Sequence, residues 1–125
     1  MLVLDSSALL ASLFGEPGYE QVDDVLHTSC ISAVNLAEVM TRLVRDGVSL
    51  DEFLLKLDGS DFEFVPFDVP QARLAAELLP QTRRRGLSLG DRACLALASS
   101  RALPVLTAER AWAHLRLPVE VRLIR

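Results

Sequence analysis

Two cysteines, two histidines and one lysine in 125 residues rule out several common chemistries at the outset. Cys30 and Cys94 lie inside apolar segments without metal-ligand spacing. They read as free buried thiols of a reducing compartment, not as a disulfide framework or a zinc site. His27 and His114 are isolated and read as surface residues. No stretch approaches the roughly 20 apolar residues of a membrane span, and the apolar run at residues 1–4 meets Asp5 at once. Neither a signal peptide nor an anchor is therefore expected, and the chain reads as soluble and cytoplasmic. Repeats and low-complexity segments are absent too.

Half of the residues are hydrophobic, enough for a sizeable core, and the length suits one domain over residues 1–125. Net charge is −4, from 13 basic and 17 acidic side chains, which taken as a sum argues weakly against a nucleic-acid partner. The sum misleads if Asp5, Glu38, Asp91 and Glu109 form one metal-binding cluster, because the remainder is then balanced. The basic side chains are almost all Arg, which suits bidentate phosphate recognition and equally suits a bias in genomic base composition.

The chain reads as strands separated by helices. Residues 1–4 form a buried parallel strand ending at Asp5. Ser6 and Ser7 cap a short helix closed by Gly15, and Pro17 suits the first turn of a second helix ending near Leu26. A strand at 29–31 leads to Ser32, which caps a broadly apolar helix running through Arg45. Ser49 caps a helix through Leu57, and a turn at 58–61 precedes a strand at 62–66. Asp68 and Pro70 start a helix through Leu79, which Pro80 stops. A polar connection containing Arg83, Arg84, Arg85 and Gly86 leads to the stretch at 88–98. A strand at 104–107, a short helix capped by Thr107 and holding Glu109 and Trp112, and a strand at 119–124 complete the chain. Trp112 reads as core. The alternation implies an α/β sandwich around a mainly parallel sheet.

Residues 88–98 are apolar almost all round apart from Asp91, so the helix must be buried with a carboxylate near its start. Ser88 and Asp91 fit a variant of the capping box, and that role competes with a functional one. Asp5 and Glu109 have similar local readings as helix-terminal acids. Glu38 does not, since mid-helix it gains nothing from capping, although a salt bridge to Arg42 is an alternative. In parallel sheets, sites form outside the carboxyl ends of the strands. Asp5, Glu38 and Glu109 all follow strands, whereas the approach of Asp91 to that edge is left open by the sequence. Four converging carboxylates would repel one another, and hard divalent cations are the usual resolution, which points to Mg²⁺ or Mn²⁺ and hydrolysis of a phosphodiester by an activated water.

Four segments, D-S-S-A-L from Asp5, N-L-A-E-V from Asn35, L-S-L-G-D-R-A-C-L-A-L-A from Leu87 and V-L-T-A-E-R-A-W from Val105, make the chain resemble PIN-domain proteins of the VapC toxin family. The resemblance implies a three-layer α/β/α fold, a Mg²⁺- or Mn²⁺-dependent endoribonuclease that leaves a 5′-phosphate, a homodimer, and an antitoxin that blocks the site. Asp5, Glu38 and Asp91 match the family's acidic positions as metal and catalytic residues. Glu109 departs, standing where the family more often has Asp. Ser6 and Thr107 match hydroxyl positions near the site. Arg83, Arg84 and Arg85 lie where the family varies, and are expected from their place before the Asp91 helix to bind RNA phosphates. An inhibitory antitoxin is expected to insert an Arg or Lys among the carboxylates and to pack an apolar stretch on exposed helices. A non-catalytic PIN-like binding domain is the alternative, supported by the departure at Glu109. A receiver-like phosphoacceptor fits less well, because the acidic pair after the first strand is missing.

Overall fold

Apolar side chains leave both faces of every central strand, and the sheet is buried on both sides as a result. The computed structural model describes residues 1–125. Its strands are β1 (Val3–Leu4), β2 (Cys30–Ser32), β3 (Glu63–Val65), β4 (Val105–Thr107) and β5 (Val121–Leu123). They form one sheet in the order β3-β2-β1-β4-β5, and every pairing is parallel, so the mainly parallel sheet expected from the sequence is wholly so.

Leu4, Ile31 and Leu106 face one way, into a core closed by helices α1 (Ser6–Phe14), α2 (Tyr19–Val25), α3 (Ala33–Arg45) and α4 (Leu50–Leu57). Val3, Cys30 and Val105 face the other way, against Cys94, Leu95, Leu97 and Trp112. That second layer holds α5 (Val69–Glu77), α6 (Leu79–Thr82) and α7 (Leu89–Arg101), with α5 packed along α7. The result is the three-layer sandwich. Helix α7 is buried from Ala93 through Ala98, as its unbroken apolar run requires. No helix is long and apolar enough to cross a membrane.

Local departures from the expected elements have simple causes. Pro17 precedes α2 without entering it; Gly18 supplies the N-cap at φ 92°, and the helix tightens into a 3₁₀ turn at Leu26–Thr28. The helix expected to reach Leu79 breaks at Leu78, and Pro80 falls in the first turn of α6, where its missing N–H satisfies nothing in any case. The connection at Arg83–Arg85 is itself a 3₁₀ turn closed by Gly86 at φ 63°. Beyond β4, the short helix is a 3₁₀ segment, Arg110–His114, with Glu109 just outside it as the N-cap residue.

Candidate active site at the carboxyl edge of the sheet

Strand β1 has β2 on one side and β4 on the other, so the winding of the chain reverses there. A crevice outside the carboxyl ends of the strands is expected at such a point. Asp5 leaves β1 at this position and is only 3% exposed. It occupies the N-cap position of α1, yet its carboxylate makes no capping bond to that helix. Instead Oδ2 accepts hydrogen bonds from Ser7 Oγ (2.6 Å) and, across the β1–β4 pair, from Thr107 Oγ1 (2.9 Å). Those hydroxyls in turn accept the backbone N–H groups of Ala108 and Glu109, both at 3.0 Å, which fixes their orientation. Burial drives the Asp5 carboxyl up to about 6; the two hydroxyls oppose the rise, and the negative charge of Asp91 adds to it.

Glu38 projects from α3 beside Asp5's neighbour. Ser6 Oγ donates to Glu38 Oε1 at 2.6 Å, and Asn35 Nδ2 donates to the same oxygen at 3.0 Å. The alternative salt bridge to Arg42 is absent, since Arg42 pairs with Asp46 at 3.4 Å and lies over the Phe14 ring, 4.8 Å from its centroid. Asn35 is fully buried, and its Nδ2 also donates to the Gly90 carbonyl at 2.9 Å. That bond ties the start of α7 to the first turn of α3 and so brings Asp91 to the sheet's carboxyl edge, the step the sequence leaves open. Gly90 makes the approach possible. A Cβ there would stand 2.6 Å from Glu38 Cδ and 2.7 Å from Oε1, and closer still to Oε2.

Asp91 completes the capping box, with Ser88 N–H donating to its Oδ2 at 2.9 Å and its own N–H donating to Ser88 Oγ at 3.2 Å. The cap is formed, and the negative charge of Asp91 still reaches Asp5. Cys94 is fully buried, and its thiol is pushed well above its usual range by burial first and then by the charges of Asp5, Asp91, Cys30 and Glu38. One oxygen of each carboxylate is occupied: Oδ2 of Asp5, Oε1 of Glu38, Oδ2 of Asp91. The second oxygen of each accepts no side-chain hydrogen bond, and no cationic side chain pairs with any of the three. Nowhere are three acidic, His or Cys side chains drawn to metal-ligand spacing.

Glu109 stands apart. It is exposed, its carboxylate makes no hydrogen bond or ion pair, and only its backbone N–H reaches the site, through Thr107. Arg83, Arg84 and Arg85 are exposed in the 3₁₀ turn just ahead of α7. Three further residues build the site beyond those singled out by the sequence pattern: Ser7, Asn35 and Gly90. Ser7 fits a cap in the sequence, and the second hydroxyl of the D-S-S run is the signal for a carboxylate partner. Asn35, one turn before Glu38, was also available as a signal. Gly90 carried none, because what it avoids lies on another helix.

A PIN domain family model matches residues 2–117. The chain belongs to the PIN-domain family. Among solved structures, this PIN domain is similar to a chain of VapBC-5, a toxin–antitoxin system of Mycobacterium tuberculosis, at 30% identity, 99% coverage of this chain and 97% of that one, with a TM-score of 0.63. It shares its fold with a chain of a toxin–antitoxin complex from Klebsiella pneumoniae (19% identity, coverage 96% and 99%, TM-score 0.76) and with one of DNA-bound VapBC from Salmonella typhimurium (22% identity, coverage 100% of both, TM-score 0.69). A search of the curated proteins found no match. The resemblance to VapC-family PIN domains carried by the four sequence segments is thereby upheld.

Proposed function

We propose that this PIN domain is the endoribonuclease toxin of a toxin–antitoxin pair, acting with Mg²⁺ or Mn²⁺. The observation that carries the reading is the trio Asp5, Glu38 and Asp91, gathered with no cationic partner and each tethered through one oxygen, with no side-chain donor on the other. This donor set fits a hard divalent cation, which prefers carboxylate oxygens and relieves the like-charge repulsion. When bound, such an ion supplies a Lewis acid and an activated water for phosphodiester hydrolysis. Asp5, Glu38 and Asp91 would hold it. Ser7 and Thr107 hold Asp5 in place, while Ser6 and Asn35 do the same for Glu38. Positioning of this kind, completed before substrate arrives, is where a protein contributes most to phosphoryl chemistry.

The test uses Asp91→Asn, because an Asn carbonyl still accepts the Ser88 N–H and preserves the cap. Wild-type protein incubated with total RNA is expected to produce new 5′-phosphate ends with Mg²⁺ or Mn²⁺ and none with EDTA. The variant should cut little under either condition. Melting gives a second reading: a cation at 100 times its dissociation constant adds about 2.7 kcal/mol, which for a domain this size raises the melting temperature by roughly 5–15 °C. Wild type should show that rise. Asp91→Asn should melt no lower than wild type in EDTA and respond little to Mg²⁺. A folded wild type that neither cuts nor responds to the ions would leave the non-catalytic binding domain.

The same reading assigns an antitoxin as partner, and a cytoplasmic homodimer as the toxin's form. Two apolar depressions flank α3, one of about 350 Å³ lined by Ala37, Met40, Val44 and Leu50, the other bounded by Phe14, Leu43 and Phe53. Ala37 adjoins Glu38, so an apolar segment laid along α3 would bring its end to the carboxylates. A basic side chain there supplies the missing cation. Replacing every basic residue in the contacting segment of the antitoxin with Ala is expected to abolish inhibition in the cleavage assay; inhibition that survives would refute the insertion.

A further inference from the structure

The molecule has twelve arginines, and their partners divide them sharply. Five are ion-paired with Asp or Glu. Three donate to main-chain carbonyls. Arg83, Arg84, Arg85 and Arg116 make neither kind of contact. Three of these four, Arg84, Arg85 and Arg116, come from segments about thirty residues apart in sequence and line a single cleft of about 360 Å³ together with Gln81 and His114. No acidic side chain lines it. Guanidinium groups left unpaired and facing one another are electrostatically unfavourable in the free protein, and a polyanion relieves that as the cation relieves the acids.

The cleft is tethered to the carboxylate site at both of its walls. His114 ends the 3₁₀ segment that Glu109 begins, a rise of about 10 Å at 2.0 Å per residue. Arg85 precedes Ser88 by three residues, and Asp91 lies one helical turn further on, so chain length alone holds Arg85 within about 15 Å of Asp91. A single-stranded polynucleotide reaching the acids therefore has its neighbouring phosphates within range of the cleft. Guanidinium forks suit phosphodiester oxygens bidentately, and Gln81 and the His114 imidazole add donors without adding negative charge.

We propose that the Arg84–Arg85–Arg116 cleft binds the phosphate backbone of the RNA strand on one side of the cleavage point. This rests on the nuclease reading for its ligand but not for its test. Arg83, in the same run, does not line the cleft and is no part of it. All three cleft arginines are exposed and have no partner to lose, so their replacement leaves the fold intact.

The experiment measures binding of a short fluorescein-labelled single-stranded RNA in EDTA, where cleavage does not enter, across a salt titration. The triple variant Arg84→Ala, Arg85→Ala, Arg116→Ala is compared with wild type and with Arg45→Ala, Arg73→Ala, Arg122→Ala, which removes the same charge from ion-paired positions. Each phosphate contact contributes about 0.7 to the slope of log affinity against log salt for a single strand, so the cleft variant should lose about 2 from that slope and the control almost nothing. An unchanged slope in the cleft variant, or an equal loss in the control, overturns the proposal. Polyglutamate supplies the competing arm: if it displaces the RNA from wild type as effectively as unlabelled RNA does, and loses affinity for the cleft variant to the same degree, the cleft takes an acidic protein segment and the RNA assignment fails. Failure of the nuclease reading shows separately, as absent cleavage with an intact salt slope; failure of the cleft shows as full cleavage by the cleft variant with its salt slope unchanged.

Discussion

Gly90→Ala is expected to fold with nearly wild-type stability and to lose most of its Mg²⁺ response and RNA cleavage. The three atoms nearest the added Cβ are all side-chain atoms of Glu38. The Cβ meets the end of Glu38, at 2.6 Å from Cδ and 2.7 Å from Oε1, and Glu38 is an exposed side chain that can swing away. Leaving its position breaks the bonds from Ser6 Oγ and Asn35 Nδ2 to Oε1, a loss of about 1 kcal/mol apiece at most for contacts so near water. Alanine in a helix recovers up to about 1 kcal/mol relative to glycine, so melting in EDTA should stay within about 1 kcal/mol of wild type. Function has no such compensation. One of three carboxylates is displaced from the site, and misplacement by about 1 Å is enough to cost on the order of 10²-fold in rate. The roughly 2.7 kcal/mol that Mg²⁺ adds to wild type at 100 times its dissociation constant should shrink to a small fraction of that value. Melting curves with EDTA and with Mg²⁺, beside a cleavage assay, check all three outcomes. A variant that keeps its Mg²⁺ response would remove Glu38 from the ligand set.

Position in the chain made much of this molecule legible, and contact between distant segments made the rest invisible. The strands announced themselves as apolar runs, and Ser32, Ser49, Asp68 and Ser88 announced helix starts that each now accepts a backbone N–H through its side chain. Asp5 and Glu38 could be placed at the carboxyl edge because each follows a strand. Asp91 could not, because it precedes its strand, and the contact that brings it to the edge is a bond from Asn35 across 55 positions. Glu109 shows the converse. Its place two residues after Thr107 suggested membership of the cluster, yet the tight turn there spends its backbone N–H on the Thr107 hydroxyl and leaves the carboxylate in solvent. The basic cleft was half visible, as a run of three arginines. Its third member comes from Arg116, and Arg83 drops out, because a 3₁₀ turn with about three residues per turn points neighbouring side chains in different directions.

Metal-free protein is expected to become more stable as the pH falls from 8 to 5, opposite to the usual acid response, and Asp5 is the reason. Its carboxyl is raised to about 6 by burial. A raised folded-state value means that the native protein above pH 6 carries a charge that the unfolded chain holds at less cost. That penalty is full above pH 6, recedes as the pH drops through 6, and vanishes below the ordinary value of 3.8. About two units of displacement correspond to about 3 kcal/mol in all, of which roughly half is recovered by pH 5. Glu63 and Glu120, each bonded to an arginine, are shifted the other way, so the stability they contribute is lost only as the pH falls below their ordinary 4.5, outside this window. Thermal melts in EDTA should accordingly rise by several degrees between pH 8 and pH 5. Asp5→Asn should remove most of that rise and melt above wild type at pH 8, because the Ser7 and Thr107 hydroxyls can still donate to the amide oxygen. Saturating Mg²⁺ should reverse the wild-type trend, since protons then compete with the ion for the same carboxylate and lowering the pH strips the cation away. An EDTA melting temperature that falls from pH 8 to pH 5, in wild type and Asp5→Asn alike, would show that Asp5 is not held as a costly buried charge, and would leave the hydroxyls of Ser7 and Thr107 dominant over burial at the centre of the site.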